Sequence, residues 1–431
     1  MTQPAAVPVG SAVTAVRQAS LREHNLALVL RQIATAARPP SRADLATATG
    51  LTRATVSALV DDLITGRLLT EVAPAPRSGA GRPAVGLTLA GHGPVGLGLE
   101  INVDYLAAVL VDLTGAVRHR AVHRVDLRPV PPAEAMALVG DLITEAGAEA
   151  DRQDLALAGT ALAVPGLVTA TGLVRLAPNL GWRDVDVPAL LGGHPVLDGC
   201  GLGVDNEANL AALGELHAGP PDSGNFIYIS GEVGIGAGIV LHGALFRGAR
   251  GWSGELGHVP VHPEGRPCRC GGRGCLEQYA GQEAILAAAR LAVPPAVDTG
   301  PTTAGTDRDR PAVPTPGAAV ARLVEAAAGD DPNAHRALVD AATALGVAVA
   351  GVINLLDVDT VVLGGVYAPL ARWLAPTVEA EIRRRVLTAA WSPVTVRAAL
   401  LGGDAAALGA AGSVVRTVLE HPARWLGRPG R

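Results

Sequence analysis

Three of the four cysteines of the chain lie in the stretch Cys268-Arg-Cys270-Gly-Gly-Arg-Gly-Cys275-Leu-Glu277, and His258 ends the preceding stretch Gly254-Glu-Leu-Gly-His258. Three thiolates and one imidazole form a ligand set that zinc takes in tetrahedral geometry. Four protein ligands leave no position for a substrate water, so the spacing predicts a structural zinc site. A redox-active or merely packed cysteine cluster is the alternative, and the ligand spacing disfavours it.

The length and the charge distribution divide the chain into parts. A chain of 431 residues is too long for one compact core, so we expect two or three domains. Residues 1 to 92 contain nine Arg and five Asp or Glu, a net charge of about +4, which leaves about −9 of the total of −5 for the remainder. A basic head on an acidic body predicts a polyanionic partner for the head alone.

Secretion and membrane insertion are not expected. The chain does not open with a positively charged segment followed by an apolar one, so we predict a cytoplasmic protein. The longest apolar stretch, from Ala341 to Leu356, contains polar residues and is too short to span a bilayer, which predicts a buried helix. Disulfides are not expected, and Cys200 is predicted to be a small buried core residue.

The pattern of residues 21 to 92 predicts a winged helix-turn-helix behind a loose tail of residues 1 to 20. Helical spacing runs from Leu21 to Ala37, and Ser41 opens a second helix with a capping-box pattern. Gly50 ends that helix, and Thr52 caps a third that runs to about Gly66. Two alternating segments, 68–72 and 84–89, then predict a hairpin.

This head predicts binding to operator DNA. A recognition helix places its first residues against base edges, and the wing carries cations toward the backbone or the minor groove. The alternative is a winged helix that contacts protein, as in a scaffold. The predicted DNA-binding residues are Thr52, Arg53, Thr55 and Ser57 on the helix and Arg77 and Arg82 in the wing.

From Gly93 onward, strands and helices alternate, which predicts an α/β architecture. A stretch at about residues 293–317 is rich in Pro, Thr, Gly and Asp and predicts a disordered insertion. The predicted elements are strands 95–101, 105–112, 116–125, 155–164, 226–229, 236–241 and 360–363 and a helix over 132–150.

The metal stretch resembles the signature of the ROK family, the repressors, open reading frames and sugar kinases. Other matching segments are Asn206-Glu-Ala-Asn209, Pro178-Asn-Leu180 with Trp182, and Leu363-Gly-Gly365. The resemblance covers Gly93 to roughly Leu419, and the head is similar to that of the family's repressor branch. It implies a two-lobed actin-like, ribonuclease-H-like ATPase fold, with lobe 1 at 93–205, lobe 2 at 206–402 and a helix at 403–420 that returns to lobe 1.

The resemblance also implies a sugar cleft, and the protein would work as a homodimer or homotetramer. The family positions that hydrogen-bond sugar hydroxyls correspond to Asn206, Glu207, Glu255, His258 and Glu277. Asn179 and Trp182 are weaker candidates at the rim, with a structural turn as an equal alternative. Carboxylates and amides suit a polyol because they form paired hydrogen bonds with neighbouring hydroxyls. His258 would serve the metal with one ring nitrogen and the sugar with the other.

Three departures from the kinase pattern argue against phosphoryl transfer and against ATP as a cofactor. The family's Asp-x-Gly-Gly-Thr corresponds to Glu100-Ile-Asn-Val-Asp104, and its Gly-Thr-Gly-x-Gly loop carries Glu232 where a hydroxyl belongs. Glu207 stands where kinases use an aspartate as the base. The sequence therefore predicts a sugar-responsive repressor, with an ATP-dependent sugar kinase carrying a DNA-binding head as the alternative.

Overall fold

The computed structural model describes residues 18–73, 85–220, 224–291 and 316–428. These residues form two compact units: the first contains the chain up to Gly93 and from Arg416 onward, and the second is Pro94–Val415. Residues 1–17 of the predicted tail, the wing residues Arg77 and Arg82, and residues 293–315 of the predicted insertion lie outside the described residues.

The strands are named in chain order. They are β1 Leu69–Val72, β2 Gly86–Leu89, β3 Pro94–Ile101, β4 Tyr105–Asp112, β5 Val117–Arg124, β6 Ala156–Val164, β7 Leu167–Val168, β8 Leu173–Ala177, β9 Trp182–Asp186, β10 Gly201–Asn206, β11 Phe226–Gly231, β12 Ile235–Leu241, β13 Ala244–Leu245, β14 Thr360–Gly365 and β15 Thr395–Ala398.

The helices are named in the same way. They are α1 Gln18–Ala34, α2 Arg42–Thr49, α3 Arg53–Thr65, α4 Pro132–Arg152, α5 Val187–Leu191, α6 Glu207–Ala218, α7 Glu277–Ala280, α8 Gln282–Ala288, α9 Pro316–Ala328, α10 Pro332–Leu356, α11 Ala371–Arg385, α12 Ala405–Glu420 and α13 Pro422–Leu426.

The first unit contains the three helices that the sequence predicts. The described part of α1 runs from Gln18 and ends at Ala34, three residues before the predicted end at Ala37, because the Ala36 backbone N–H bonds the Ile33 oxygen in a tighter turn. Ser41 and Asp44 form the capping box of α2. Gly50 ends α2 with φ of +73°, a backbone conformation that glycine adopts without strain.

Arg42 connects three elements of this unit. Its guanidinium lies 2.8 Å from an Asp61 carboxylate oxygen on α3 and also pairs with Glu71 on β1. These partners raise the pKa of Arg42. One side chain of α2 thereby fixes α3 against the hairpin, where β1 and β2 pair antiparallel with Leu69 opposite Leu89.

The C-terminal end of the chain completes the core of the first unit, which nothing in the sequence pattern predicted. Helix α13 packs against α1. Trp425 is 4% exposed, and its indole Nε1 donates to the backbone oxygen of Gly66 at 3.0 Å. His421 lies 3.6 Å from a Glu23 carboxylate oxygen. Helices α1 and α13, from opposite ends of the described residues, thus both contribute to the helix-turn-helix unit.

The second unit contains two five-stranded mixed sheets with one shared topology. The first has the order β10-β6-β3-β4-β5 and the second the order β13-β12-β11-β14-β15. In each, the first three strands in chain order form an antiparallel meander, and the last two run parallel to the first. The predicted mixed α/β class is confirmed, and the two sheets share one strand order.

Helix α12 packs on the first sheet through glycine. A Cβ built on Gly98 would lie 1.9 Å from the Ala407 backbone oxygen, and one built on Gly96 would lie 2.4 Å from that of Ala411. Strand β3 therefore tolerates no side chain at these two positions. This contact holds the first half of α12 against the sheet.

Helix α10 is the central helix of the second sheet's core. It is the helix among the described residues that is long and apolar enough to cross a membrane, and 56% of its most apolar window is buried inside the protein. It packs against α7, α8, α9 and α11. Burial of this kind is typical of a core helix, as the sequence predicts for its second half.

We expect Trp425→Ala to destabilise the first unit by about 3 kcal/mol, because it removes a buried aromatic side chain and leaves the Gly66 carbonyl without its donor. Hydrogen exchange of the α1 and α3 amides in the full chain measures this change. Arg424→Ala, on the exposed side of the same helix, is the matched control. Equal exchange rates in the two variants would show that α13 does not support the unit.

Candidate functional site

A loop pressed against β12 places Glu255 and His258 at the site. The Gly254 oxygen accepts a hydrogen bond from the Ala237 backbone N–H at 2.8 Å. A Cβ built on Gly254 would lie 1.8 Å from the Ala237 oxygen, and one built on Gly257 would lie 2.4 Å from the Ile235 oxygen. Only glycine permits this approach, so the two glycines fix the side chains that follow each of them.

The four predicted metal ligands converge. The ligand atoms of His258, Cys268, Cys270 and Cys275 all lie within 4.8 Å of one another. The Cys270 and Cys275 sulfurs are 3.7 Å apart, and the Cys268 sulfur is 3.9 Å from Nδ1 of His258. Tetrahedral zinc with bonds of about 2.3 Å to sulfur separates its thiolates by about 3.8 Å. The residues present therefore fit a tetrahedral metal ion.

Neighbouring donors orient two of the sulfurs. The Gly272 backbone N–H donates to the Cys270 sulfur at 3.4 Å, and the Gln278 amide donates to the Cys268 sulfur at 3.7 Å. Such contacts to ligand atoms set ligand geometry in metal sites. Gly274 has a φ of +70° and lies against the His262 backbone, so that a Cβ built on it would lie 1.6 Å from the His262 oxygen. Only glycine fits at this turn of the loop.

All six residues predicted to bind sugar line a single cleft in the second unit. Asn102, Glu232, Arg269 and Cys270 line it with them. His258 stands between the cleft and the metal cluster, because its Nδ1 faces Cys268 and its Nε2 lies 3.9 Å from a Glu255 carboxylate oxygen. The metal cluster thus forms part of the cleft wall.

The start of α6 provides Asn206 and Glu207. The Asn206 side-chain oxygen accepts from the backbone N–H groups of Ala208 and Asn209, at 2.8 and 3.2 Å, and its amide nitrogen donates to the Gly166 oxygen at 3.0 Å. These bonds cap the helix and leave one amide hydrogen for a ligand. Glu207 is 9% exposed, and its carboxyl hydrogen-bonds the Ser230 side chain and the Ala208 backbone N–H.

The other wall brings Glu277 and Asn179 together around Gly234. A Cβ built on Gly234 would lie 2.8 Å from Glu277 Oε2 and 2.9 Å from Asn179 Nδ2. Burial raises the pKa of Glu277 and of Glu255, and in both the nearby His258 opposes the shift. The absence of a side chain at Gly234 keeps this part of the cleft open.

A buried carboxylate network closes the inner end of the cleft. Tyr105 Oη donates to Glu100 Oε1 at 2.6 Å, and Asn102 Nδ2 donates to Tyr105 Oη at 3.1 Å. Burial raises the pKa of Glu100 to about 7 and that of Glu207 to about 7, the latter also through the charge of Glu100. Burial likewise raises the pKa of Glu232 well above its usual value, with Glu100 and Glu207 adding to the effect.

The structure adds residues to the site and removes one. Arg269 lines the cleft, and Tyr105 bonds Glu100 beside it. Arg269 lies within the cysteine stretch, but neither its motif nor the surroundings of Tyr105 mark these residues in the sequence, so only the three-dimensional arrangement reveals them. Trp182, predicted at the rim, is instead 2% exposed and packed in the core of the first sheet, because β9 turns its ring inward. Cys200 is half-buried, not buried, and its thiol donates to the Leu157 oxygen at 3.4 Å.

The predicted recognition residues share the start of α3. Thr52 and Arg53 are exposed, whereas Thr55 and Ser57 are half-buried. Thr52 accepts from the Thr55 backbone N–H at 3.2 Å, and the two hydroxyls lie 2.9 Å apart. Thr52 therefore caps the helix, and Arg53 is the predicted contact most open to a partner.

Comparisons with known proteins agree over nearly the whole chain. The model of the ROK family matches residues 96–416. The xylose repressor of Caldicellulosiruptor bescii is 28% identical over 405 residues, covering 93% of this chain and 98% of that protein. The crystal structure of a ROK family transcriptional regulator, a homolog of the E. coli MLC protein, superposes with a TM-score of 0.73 at 26% identity, covering 95% and 100% of the two chains. A glucokinase from Streptomyces griseus, solved with glucose and AMPPNP, superposes with a TM-score of 0.59 at 28% identity, covering 74% and 98%.

The raised pKa of Glu207 predicts a dependence of stability on pH. Between about pH 4.5 and pH 7 the folded protein holds a proton that the unfolded chain has lost, so stability is full below this window and falls as the pH rises through it. Glu207→Gln should abolish a loss on the order of 2 kcal/mol between pH 5 and pH 8. Urea unfolding at the two pH values measures it, with the exposed Glu325→Gln as control. An unchanged slope in Glu207→Gln would contradict the assignment.

Proposed function

Because the chain belongs to the ROK family, we propose that it is a sugar-responsive transcriptional repressor. The observation that carries this proposal is the extent of the match: the C. bescii repressor and the ROK regulator correspond to this chain over both units, whereas the glucokinase covers 74% of it. The helix-turn-helix unit is thus shared with regulators. A repressor of this kind works where the DNA is, in the cytoplasm, and as a homodimer it reads two half-sites.

The cleft suits a neutral sugar. Glu207, Glu255, Glu277, His258, Asn179 and the remaining amide hydrogen of Asn206 surround it. A carboxyl with a pKa near 7 can accept or donate a hydrogen bond at physiological pH, which matches hydroxyls that do both. Each hydroxyl left without a partner in a buried site costs affinity, so such a cleft discriminates between sugars. A xylose-like aldose is the first candidate, by the name of the relative.

The metal site would hold zinc through His258, Cys268, Cys270 and Cys275 as a structural ion. The ion would hold the loop in place and would not activate water, because all four ligands come from the protein. The ion would set the orientation of the His258 ring through Nδ1. Nε2 then faces the cleft as a defined hydrogen-bonding group.

Phosphoryl transfer is disfavoured by the inner end of the cleft. Glu100, Glu207 and Glu232 gather there, and a Cβ built on Gly365 would lie 2.7 Å from Glu232 Oε1, which places that carboxylate on the Leu363-Gly-Gly365 turn. A triphosphate would bring negative charge beside three carboxyls whose ionisation burial already disfavours, where phosphate needs backbone N–H groups and cations. We therefore propose that the protein does not transfer phosphate to its sugar.

Repression would respond to sugar through a difference in affinity. The sugar can shift DNA binding only if it binds one arrangement of the protein more tightly than the other, and by linkage the operator must weaken sugar binding by the same factor. If the sugar weakens binding to the operator, protein bound to the operator should bind the sugar more weakly by the same factor.

The test is a titration of the full chain against a duplex selected by the protein from a random library, with and without xylose, arabinose, glucose and mannose. We expect one sugar to weaken operator binding at least tenfold. Arg53→Ala should relax base preference at one position, with a loss of about 1–3 kcal/mol for the preferred base. A wing variant, Arg82→Ala, should weaken binding to all sequences alike if its side chain meets phosphate.

Two results would replace the proposal with another. Hydrolysis of ATP that requires a sugar and disappears in Glu207→Ala would establish the kinase. Failure to select any duplex, together with an affinity for DNA that does not depend on salt, would leave the winged helix as a protein-contact module.

We expect about one zinc ion per chain by elemental analysis. Cys270→Ser should lose the ion and the response to sugar together, because the loop that orients His258 is released. Cys200→Ser is the matched control, since that thiol lies away from the cluster and should leave the metal content unchanged. A full response to sugar in metal-free protein would refute the structural role.

A further inference from the structure

A cavity of about 590 Å³ lies in the second unit between β10, α6 and the loop that follows β13. Its volume is within the range of cavities that bind small organic ligands. None of the predicted sugar or metal ligands lines it, so the proposed function assigns it no role. Its apolar wall consists of Ala161, Val168, Val204, Leu210 and Leu213.

A glycine on β10 leaves part of this space open. Gly203 pairs with Ala161 of β6, and because both residues line the cavity, a side chain at Gly203 would lie on the same face of the sheet as that of Ala161. A Cβ built on Gly203 would have the Ala161 Cβ and the Thr160 oxygen as its nearest neighbours, both at 3.9 Å, which is an ordinary van der Waals distance. The backbone therefore accepts a side chain here, and that side chain would fill part of the cavity.

The charged side chains of the lining leave an excess of positive charge. They are two arginines, Arg247 and Arg250, and one acid, Asp205. Arg247 pairs with Asp205 at 2.6 Å. Arg250 contacts an aromatic ring instead, with its guanidinium carbon 6.0 Å from the centre of the Trp252 ring, and it has no carboxylate partner among the described residues. The cavity thus offers one unpaired guanidinium beside an apolar wall.

We propose that this cavity binds a small organic carboxylate with an apolar body, whose carboxylate group pairs with Arg250. A guanidinium presents N–H donors in a planar fork that matches the two oxygens of a carboxylate. The aliphatic side chains of the wall cover the body of the ligand. One unpaired positive charge suits a monoanion, whereas a phosphate monoester would bring about two negative charges next to Asp205.

Asp205 connects this cavity with the sugar cleft. Its Oδ2 pairs with Arg247 in the cavity wall, and its Oδ1 accepts from the Asn206 backbone N–H at 2.8 Å and from the Asn209 amide at 3.1 Å. Asn206 and Glu207 line the cleft. A bound carboxylate that attracts Arg247 competes with Asp205, and each ligand would then change the affinity for the other by the same factor. This coupling rests on the proposed sugar site, whereas binding of the carboxylate does not.

The test compares indole-3-acetate with indole-3-acetamide, an uncharged probe of nearly the same shape, by calorimetric titration of the full chain without sugar or DNA. The acid should bind about tenfold more tightly than the amide, the gain expected for a hydrogen bond to a charged group that is partly open to water. Arg250→Gln should bring the two affinities to the same value. Arg269→Gln, in the sugar cleft, should keep the preference for the acid, and its loss there would place the carboxylate in the cleft and overturn the proposal.

Two matched glycine variants of β10 locate the body of the ligand. Gly203→Val should weaken the binding of both probes about tenfold, because the valine occupies space that the ligand needs. Gly201→Val, at a position that does not line the cavity and has no atom within 4 Å of a built Cβ, should bind both probes like the unaltered chain. Equal binding of the two probes by the unaltered chain, undiminished binding by Gly203→Val, or tighter binding of phenyl phosphate than of indole-3-acetate would overturn the proposal. None of these results bears on whether the protein is a repressor.

Discussion

The contact on which the site depends is that of the Gly254–His258 loop with β12. The backbone of the loop packs directly on the backbone of β12 and leaves no room for a Cβ at Gly254 or Gly257. The hydrogen bond from the Ala237 N–H to the Gly254 oxygen holds the loop in place. Glu255 and His258 owe their positions to this contact, and His258 carries its effect into the cysteine loop. A side chain at either glycine would therefore disturb cleft and metal cluster together.

The cysteine loop and the cleft share one residue, His258. A four-ligand zinc site contributes folding free energy to its loop, since the unfolded chain has no preformed site. One ligand, His258, turns its second nitrogen toward Glu255. A metal ion held by these four residues would also fix the His258 ring in the cleft, where rigid polar groups raise selectivity between ligands. Such an ion would influence ligand binding without contacting the ligand.

Local sequence patterns predicted most of the fold, and contacts between distant segments escaped them. Apolar runs and helical spacing identified β3, β4, β6, α3 and α4 within a few residues. The three strands are buried along almost their whole length, and the two helices each bury one apolar stripe. The convergence of His258, Cys268, Cys270 and Cys275 was predictable because their spacing in the sequence is itself the signal. Periodicity does not encode contacts between residues far apart in the sequence, such as the hydrogen bond from Trp425 to the Gly66 oxygen. It also does not encode the direction of a side chain, which decides the burial of Trp182 and the contact of Tyr105 with Glu100.

The carboxylates of the cleft argue for an uncharged effector. Glu100 and Glu207 are buried with pKa values near 7, so adding negative charge beside them raises the cost of ionising either one. A phosphorylated sugar brings about two negative charges at neutral pH, whereas a free sugar brings none. Arg269 lies in the cleft wall but acts on Glu277, and so does not offset the carboxylates at the inner end. The electrostatics of the cleft thus favour an uncharged sugar over a phosphorylated one.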